Sequence, residues 1–316
     1  MWFPLFRTAV LLGLPTLALL GSSASAQSTA AGRQAPPEDF TVVAKDGVEL
    51  GATYFPSDEG RDATCIVLLH DYNESRVRYR NLANDLRDPV AANLPGKGQR
   101  AVVTIDLRGH GQSKAAYDAS GDAYEIDATR FRAFDYEDMV IFDLEAVRAF
   151  LVRENDAGRL NLNRLCVVGV GMGANVALAW TELDWRTPDL PMRKQSRDVK
   201  AVALVSPRWK YEGLAAVRTL QYPPIQRNLS VMLAYGKDDP KAAEDGRRMF
   251  ELLGRSRPDA AEDAPGIPQG LYQYALDTKL QGGELAARPG FDLAHRISAF
   301  IDANVDQRAI PYFKRK

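Results

Sequence analysis

The sequence predicts an α/β fold: a doubly wound, mostly parallel sheet entered through an N-terminal antiparallel hairpin. Three observations carry that expectation. Short continuous apolar runs bounded by turn residues recur along the chain, as strands buried on both faces require. Helical stretches separate them, and one of these sets Val140, Leu144, Val147 and Leu151 on a single face at i, i+4, i+7 and i+11. Alternating strand and helix units imply right-handed crossovers, which wind helices onto both sides of one sheet.

The elements follow in order. Residues 40–44 and 48–55 flank the turn Lys45-Asp46-Gly47 and read as the antiparallel hairpin. Apolar runs at 65–70, 101–106, 165–170, 199–206, 229–235 and 271–276 supply the parallel strands. Leu293, Ile297, Phe300 and Ile301 form the apolar face of a final helix. Residues 114–134, 182–197 and 207–228 read as irregular, and 255–270, rich in Pro, Ala, Asp and Gly, as a surface loop. None is long enough for a separate cap domain, although 114–134 suffices for a short lid over the carboxyl ends of the strands.

The ends of the chain stand apart from this pattern. One cation, Arg7, precedes a twelve-residue apolar run from Ala9 to Leu20, and Ala24-Ser25-Ala26 supplies the small-x-small pattern that a signal peptidase needs. That run is too short to cross a hydrocarbon core, which takes about 20 residues. The expected organisation is a signal peptide over 1–26, a flexible leader over 27–39, one domain over 40–305 and a tail over 306–316. Lys314-Arg315-Lys316 is expected in solvent. The mature chain is then secreted or periplasmic, with no stable membrane anchor.

Composition narrows the function classes. With 40 Lys and Arg against 41 Asp and Glu, the formal net charge of −1 gives no bulk attraction to nucleic acid or an anionic membrane. Two cysteines exclude a disulfide scaffold and a Cys-rich zinc site, and three histidines leave few groups for general-base or metal work. No metal and no cofactor are expected. In an oxidising compartment Cys65 and Cys166 could pair, but a bond between adjacent parallel strands is awkward, so free thiols are expected.

Four segments carry chemistry-bearing patterns: Val67-Leu68-Leu69-His70-Asp71, Asp106-Leu107-Arg108-Gly109-His110-Gly111-Gln112-Ser113, Gly169-Val170-Gly171-Met172-Gly173 and Tyr235-Gly236-Lys237-Asp238-Asp239-Pro240. Together they resemble the α/β-hydrolase family over about residues 40 to 305. The resemblance implies that the first forms the strand and oxyanion loop, usually His-Gly, and the second the family's Asp-x-Arg-Gly-His-Gly-x-Ser turn. The third stands where the family has its nucleophile elbow, Gly-x-Ser-x-Gly, and the fourth resembles the turn that brings in the triad acid.

The elbow raises its middle residue above the sheet, and here that residue is Gly171. Glycine accepts the strained backbone of that corner, so the turn persists without a side chain to attack. No serine occurs between residues 164 and 180, and Cys166 lies five residues upstream, at the far end of the strand. After the last strand, Leu280-Gln281-Gly282-Gly283-Glu284-Leu285 puts Gln281 where the family has histidine. Glutamine cannot cycle a proton near neutral pH. Asp239 falls at the acid position, with Asp238 as fallback and Lys237 and Lys241 close enough in sequence to neutralise it. The degenerate set Gly171, Asp239 and Gln281 thus predicts a catalytically inactive hydrolase relative with a binding or scaffolding role toward an unidentified small molecule or protein.

An oxyanion hole could outlast the chemistry. Backbone N–H groups of Met172 and of Asp71 or Tyr72 are expected to point into one crevice, with the Asp71 side chain weakening anion binding there. His70 and His110 are expected to brace backbone, and His295, about 200° from Leu293 around its helix, to face solvent. Two alternatives stay open. A serine hydrolase using non-standard residues would draw on Ser75, Ser113 or Ser206, each near a strand's carboxyl end. A dinucleotide-binding protein would use Gly169-Val170-Gly171-Met172-Gly173-Ala174, although this follows the fifth strand and no acidic residue ends the next one.

Overall fold

The structure is a computed structural model that describes residues 35–118, 120–188, 190, 194–259 and 269–315. The expected signal peptide and the leader as far as residue 34 lie outside the described residues. Strands β1 (Glu38–Val43) and β2 (Glu49–Phe55) form the antiparallel hairpin, with Glu38 opposite Tyr54 and Val43 opposite Glu49. Six more strands follow: β3 (Thr64–Leu69), β4 (Ala101–Ile105), β5 (Asn161–Val170), β6 (Val199–Val205), β7 (Ser230–Gly236) and β8 (Leu271–Leu276). They lie in the order β1-β2-β4-β3-β5-β6-β7-β8. β2 meets β4 antiparallel, and every later pairing in this sheet is parallel.

Strand period places the core. In β3 all six residues are buried; Cys65, Val67 and Leu69 join the cluster on one face and Ile66 and Leu68 the cluster on the other. Helices α2 (Leu144–Asp156) and α3 (Met172–Arg186) contribute Leu144, Val147, Leu151, Val176 and Trp180 to the first cluster. Helices α1 (Arg80–Arg87) and α5 (Leu293–Ile301) contribute Leu86, Ile297 and Phe300 to the second, and α4 (Pro240–Gly254) adds Met249 and Leu253 to the first. The predicted stripe from Val140 to Leu151 is buried throughout, although a π-turn at Met139–Asp143 precedes α2. The same alternation separates the cysteines. Cys65 sits beside Leu165 while Cys166 sits beside Ile66, so the sulfurs point to opposite faces and both thiols are free and buried.

Some boundaries move. β5 begins at Asn161, and α3 runs to Arg186, into residues read as irregular. Residues 114–134 contain a short hairpin, Ala115–Tyr117 with Ala123–Glu125, and 207–228 contain the helices Ala216–Leu220 and Pro223–Asn228. The solvated tail is a larger correction. Arg315 is 3% exposed and pairs with the buried Asp198 at 2.5 Å, while the Tyr312 hydroxyl donates to the Asn155 carbonyl at 2.5 Å. A charge-rich terminus stays in solvent only where no buried counter-charge awaits it, and here one does. Among the described residues, no helix is long and apolar enough to cross a membrane.

The sheet order sets the site. From β3 the chain steps to β4 on one side, then returns to β5 on the other. The strand order therefore reverses between β3 and β5, and in open α/β sheets the crevice at such a reversal, above the carboxyl ends, is where ligands bind. His70-Asp71-Tyr72 leaves β3 there, and Gly171 leaves β5.

Candidate functional site

Gly171 turns the chain from β5 into α3 at φ +53° and ψ −115°, the sharp corner that a raised nucleophile occupies. Its N–H donates to the Val205 carbonyl of β6 at 2.8 Å, which fixes the corner against the sheet. Gly173 lets α3 approach β3, since a Cβ there would lie 2.5 Å from the His70 carbonyl oxygen. The space above Gly171 is filled by Asp71. A Cβ built on Gly171 would lie 2.0 Å from Cγ and Oδ1 of that carboxyl group and 2.1 Å from Oδ2.

The carboxylate is held where the two expected amides converge. Asp71 Oδ1 accepts from the N–H of Met172 at 2.8 Å and from the N–H of Tyr72 at 2.7 Å. These are charge-assisted bonds, with the first amide lying at the N-terminus of the fifteen-residue α3. Asp71 Oδ2 faces Gly282, where a Cβ would lie 1.9 Å from it. Gly282 has φ +55° and donates its N–H to Ser206 Oγ at 2.8 Å. Asp71, Tyr72 and Met172 thus come together as the sequence expects, with one change: the Asp71 amide points to Glu74 Oε2 at 3.4 Å, and its side chain supplies the anion.

The other two positions that the sequence sets in the triad, Gln281 and Asp239, turn elsewhere. Gln281 Nε2 donates to the Gly236 carbonyl at 2.7 Å and its Oε1 accepts from the Gly236 N–H at 3.4 Å, joining the loop after β8 to the end of β7. Asp239 caps α4, accepting from the Ala242 N–H at 2.8 Å with Pro240 in the first turn. Lys237 pairs with Asp277 at 2.5 Å, which corrects the expectation that it neutralises Asp239.

Two of the three histidines have fixed work. His70 Nε2 accepts from the Leu107 N–H at 3.0 Å and its Nδ1 lies 2.7 Å from the Asp71 carbonyl, so these partners set the neutral Nδ1–H tautomer. Burial lowers the His70 pKa to about 4, and His110 adds to the lowering. His110 is also held neutral, chiefly by burial, and its Nδ1 bonds the Arg108 carbonyl at 2.8 Å. His295 is exposed. The serines are likewise accounted for in part: Ser113 Oγ donates to the Asp106 carbonyl at 2.6 Å and accepts from Gly51, and Ser206 Oγ accepts from Gly282. Ser75 precedes the turn Arg76–Tyr79 without capping it through its side chain.

Sequence reasoning missed an aromatic wall beside Asp71. Tyr72 meets His110 edge-on at 5.4 Å, His110 meets Phe131 at 6.3 Å, Phe131 meets Tyr136 at 5.8 Å, and Tyr136 meets Tyr211 at 5.4 Å. Burial raises the Tyr211 phenol, with Tyr136 and Asp71 adding to the rise, so it stays neutral. Glu74 was missed as well: it takes the Tyr79 hydroxyl and pairs with Arg78 at 2.9 Å, bracing the loop that carries Asp71. Among the described residues, no three His, Cys, Asp or Glu side chains gather where they could hold a metal ion.

Strand order, elbow geometry and paired amides together define an α/β-hydrolase fold. The chain belongs to the Alpha/beta hydrolase family, whose profile matches residues 66–308. No curated protein matches it in sequence. Among solved structures it is similar to the Pyrococcus furiosus esterase Pf2001, at 18% identity and a TM-score of 0.55 over 85% of this chain and 93% of that one. It is similar to the Pyrococcus horikoshii acylaminoacyl peptidase, at 14% identity and 0.55, covering 88% of this chain but only 43% of that one. It also resembles the esterase Est22, at 15% identity and 0.52, over 84% of this chain and 81% of that one. At such identities the likeness concerns the fold.

Proposed function

We propose that this α/β-hydrolase-family chain carries out no serine-hydrolase chemistry and acts, after export, as a binding module for a small molecule or protein. One observation carries the reading: the Asp71 carboxylate lies where the nucleophile's side chain would begin, and takes the two amides that would stabilise an oxyanion. Attack on a carbonyl needs an activated oxygen or sulfur and donors aimed at the developing charge. Gly171 offers no attacking atom, and the amides are engaged. Gln281 and Asp239 are each turned to backbone, so a serine elsewhere would also lack a relay.

The dinucleotide reading draws no support from the corner, because the Met172 amide that would meet a pyrophosphate is bonded to Asp71. Export rests on the N-terminal sequence pattern.

The test treats the purified mature protein with a fluorophosphonate probe and assays it against p-nitrophenyl esters of graded chain length. The expected result is no stoichiometric labelling and no hydrolysis above the blank. Labelling of one serine, abolished when that serine is replaced, overturns the reading.

A further inference from the structure

We propose that a cavity beside the hairpin Ala115–Tyr117/Ala123–Glu125, walled by aromatic rings and floored by carboxylates that share one arginine, binds an organic ammonium ion. It measures about 400 Å³ and lies where the turn between β1 and β2, the segment from Tyr124 to Asp135 and the helix Ala133–Asp138 meet the turn that carries Arg108. That size falls among small-molecule pockets, roughly 300–1,000 Å³. Asp71, Tyr72, Gly171, Met172 and Gly282 are not among its lining residues, so the inference does not depend on what the corner at Gly171 does.

The floor is a cation outnumbered by its partners. Arg108, only 4% exposed, donates to the fully buried Asp143 at 2.6 and 2.9 Å, and its Nη1 reaches Asp46 at 2.8 Å and Asp138 at 3.5 Å. One guanidinium thus faces three carboxylates. Asp46 spends Oδ2 on that pair, while its Oδ1 is shut off from solvent and accepts no hydrogen bond. A buried acceptor left unsatisfied is costly, so this wall is short of a donor. Burial raises the Asp138 carboxyl above the usual carboxylate range; Arg108 works against the rise and Asp46 adds to it. Glu125, Asp127 and Asp135 bring more negative charge to the lining, whereas Arg130 and Arg132 are both exposed and Arg130 is drawn to Asp127 at 3.5 Å. Among the described residues, the lining and Asp143 behind it hold six carboxylates against three guanidiniums.

The rings name the rest of the ligand. Phe131 is half-buried and fills the place of a side chain at Gly109, and Tyr124 and Phe134 line the same cavity while 51% and 56% exposed. Ring faces around a negative cavity attract a cation and cover an apolar body attached to it. A bare metal ion fits less well, because Arg108 Nη1 already bridges Asp46 and Asp138. The walls are also preformed. The Tyr117 N–H donates to the Gly47 carbonyl at 3.1 Å, and Gly47, at φ +88°, lets the Asp46 turn press on that strand where a Cβ would overlap the Tyr117 carbonyl.

The experiment titrates benzylammonium chloride into the purified protein and follows the backbone amide resonances of Asp46, Phe134 and Asp138. Benzyl alcohol serves as the neutral probe of the same shape and benzoate as the anionic one. The expected result is saturable shifts with benzylammonium, at a Kd about tenfold or more below that of benzyl alcohol, and no saturable shift with benzoate. Asp138→Asn should weaken benzylammonium by about fivefold or more and leave benzyl alcohol within about twofold, since only the charge has gone; Phe134→Ala should weaken both. Equal affinity for the charged and neutral probes, an unchanged benzylammonium Kd in folded Asp138→Asn, or the lack of any saturable shift overturns the site. If Asp138→Asn fails to fold, the exposed substitution Phe134→Ala and the benzyl alcohol comparison decide: an unchanged Kd in the first or equal affinity in the second overturns it.

Discussion

Replacing Gly171 with serine adds a side chain at the corner between β5 and α3, and the structure sets the penalty. The new Cβ meets Cγ and Oδ1 of Asp71 at 2.0 Å, inside any tolerable contact, so the carboxylate must be expelled. Expulsion breaks two charge-assisted hydrogen bonds worth about 1.5–3 kcal/mol each. Holding a residue with a side chain at φ +53° and ψ −115° adds about 1–3 kcal/mol. The low end of these terms is about 4 kcal/mol, a large part of a domain's stability. When Asp71→Gly is introduced first, only the backbone strain remains. Gly171→Ser should then cost about 1–3 kcal/mol, a coupling of roughly 3 kcal/mol between the two sites. Urea unfolding of wild type, both single variants and the double variant, with m-values compared across the four, measures the cycle. Additivity within about 0.5 kcal/mol would refute the seating of Asp71 in that corner.

Two further outcomes concern the frame around the site. The folded-state pKa of His70, about 4, lies below the ordinary 6.5, so its neutral ring contributes stability above the unfolded value. That contribution is withdrawn as pH falls from 6.5 through about 4; urea midpoints should drop across this window and drop less in His70→Gln. Arg315→Ala should destabilise by about 1.5–3 kcal/mol in thermal or urea unfolding, because it strips one charged hydrogen-bond partner from the fully buried Asp198 and leaves it Arg148 and Lys194. A shift within about 0.5 kcal/mol, as expected of a surface position, would return the tail to solvent.

The fold was legible because buried parallel strands leave continuous apolar runs, and each expected strand is present within a few residues. β5 extends furthest beyond its expected start, and the reason is chemical. Asn161 and Asn163 interrupt the apolar run yet are buried, and Asn163 Nδ2 donates to the Pro311 carbonyl at 2.9 Å. Their partner lies in the segment read as a loose tail, so neither feature could be seen without the other. Asp239 was read only at the triad-acid position, although Asp before Pro is a helix start in its own right, and there it caps α4. The elbow was legible from glycine spacing. The destination of the Asp71 side chain was not, because its amide partner on α3 is 101 residues away. The aromatic wall escaped for a similar reason: Phe131, Tyr136 and Tyr211 come from short or irregular segments without a period to read.

Three departures from the family pattern look separate in sequence and are one arrangement in space. An aspartate follows His70 where glycine is usual; it fits only if Gly171 has no Cβ, and its second oxygen fits only against Gly282. Gln281, immediately before Gly282, ties that loop to Gly236 and so holds Gly282 against the carboxylate. A change at any one of these positions alone therefore meets the others. Serine at 171 collides with Asp71, and any Cβ at 282 collides with Asp71 as well. Glycine at 171 and a carboxylate at 71 are sterically coupled, so the corner between β3 and β5 is a filled site with its own stabilising bonds.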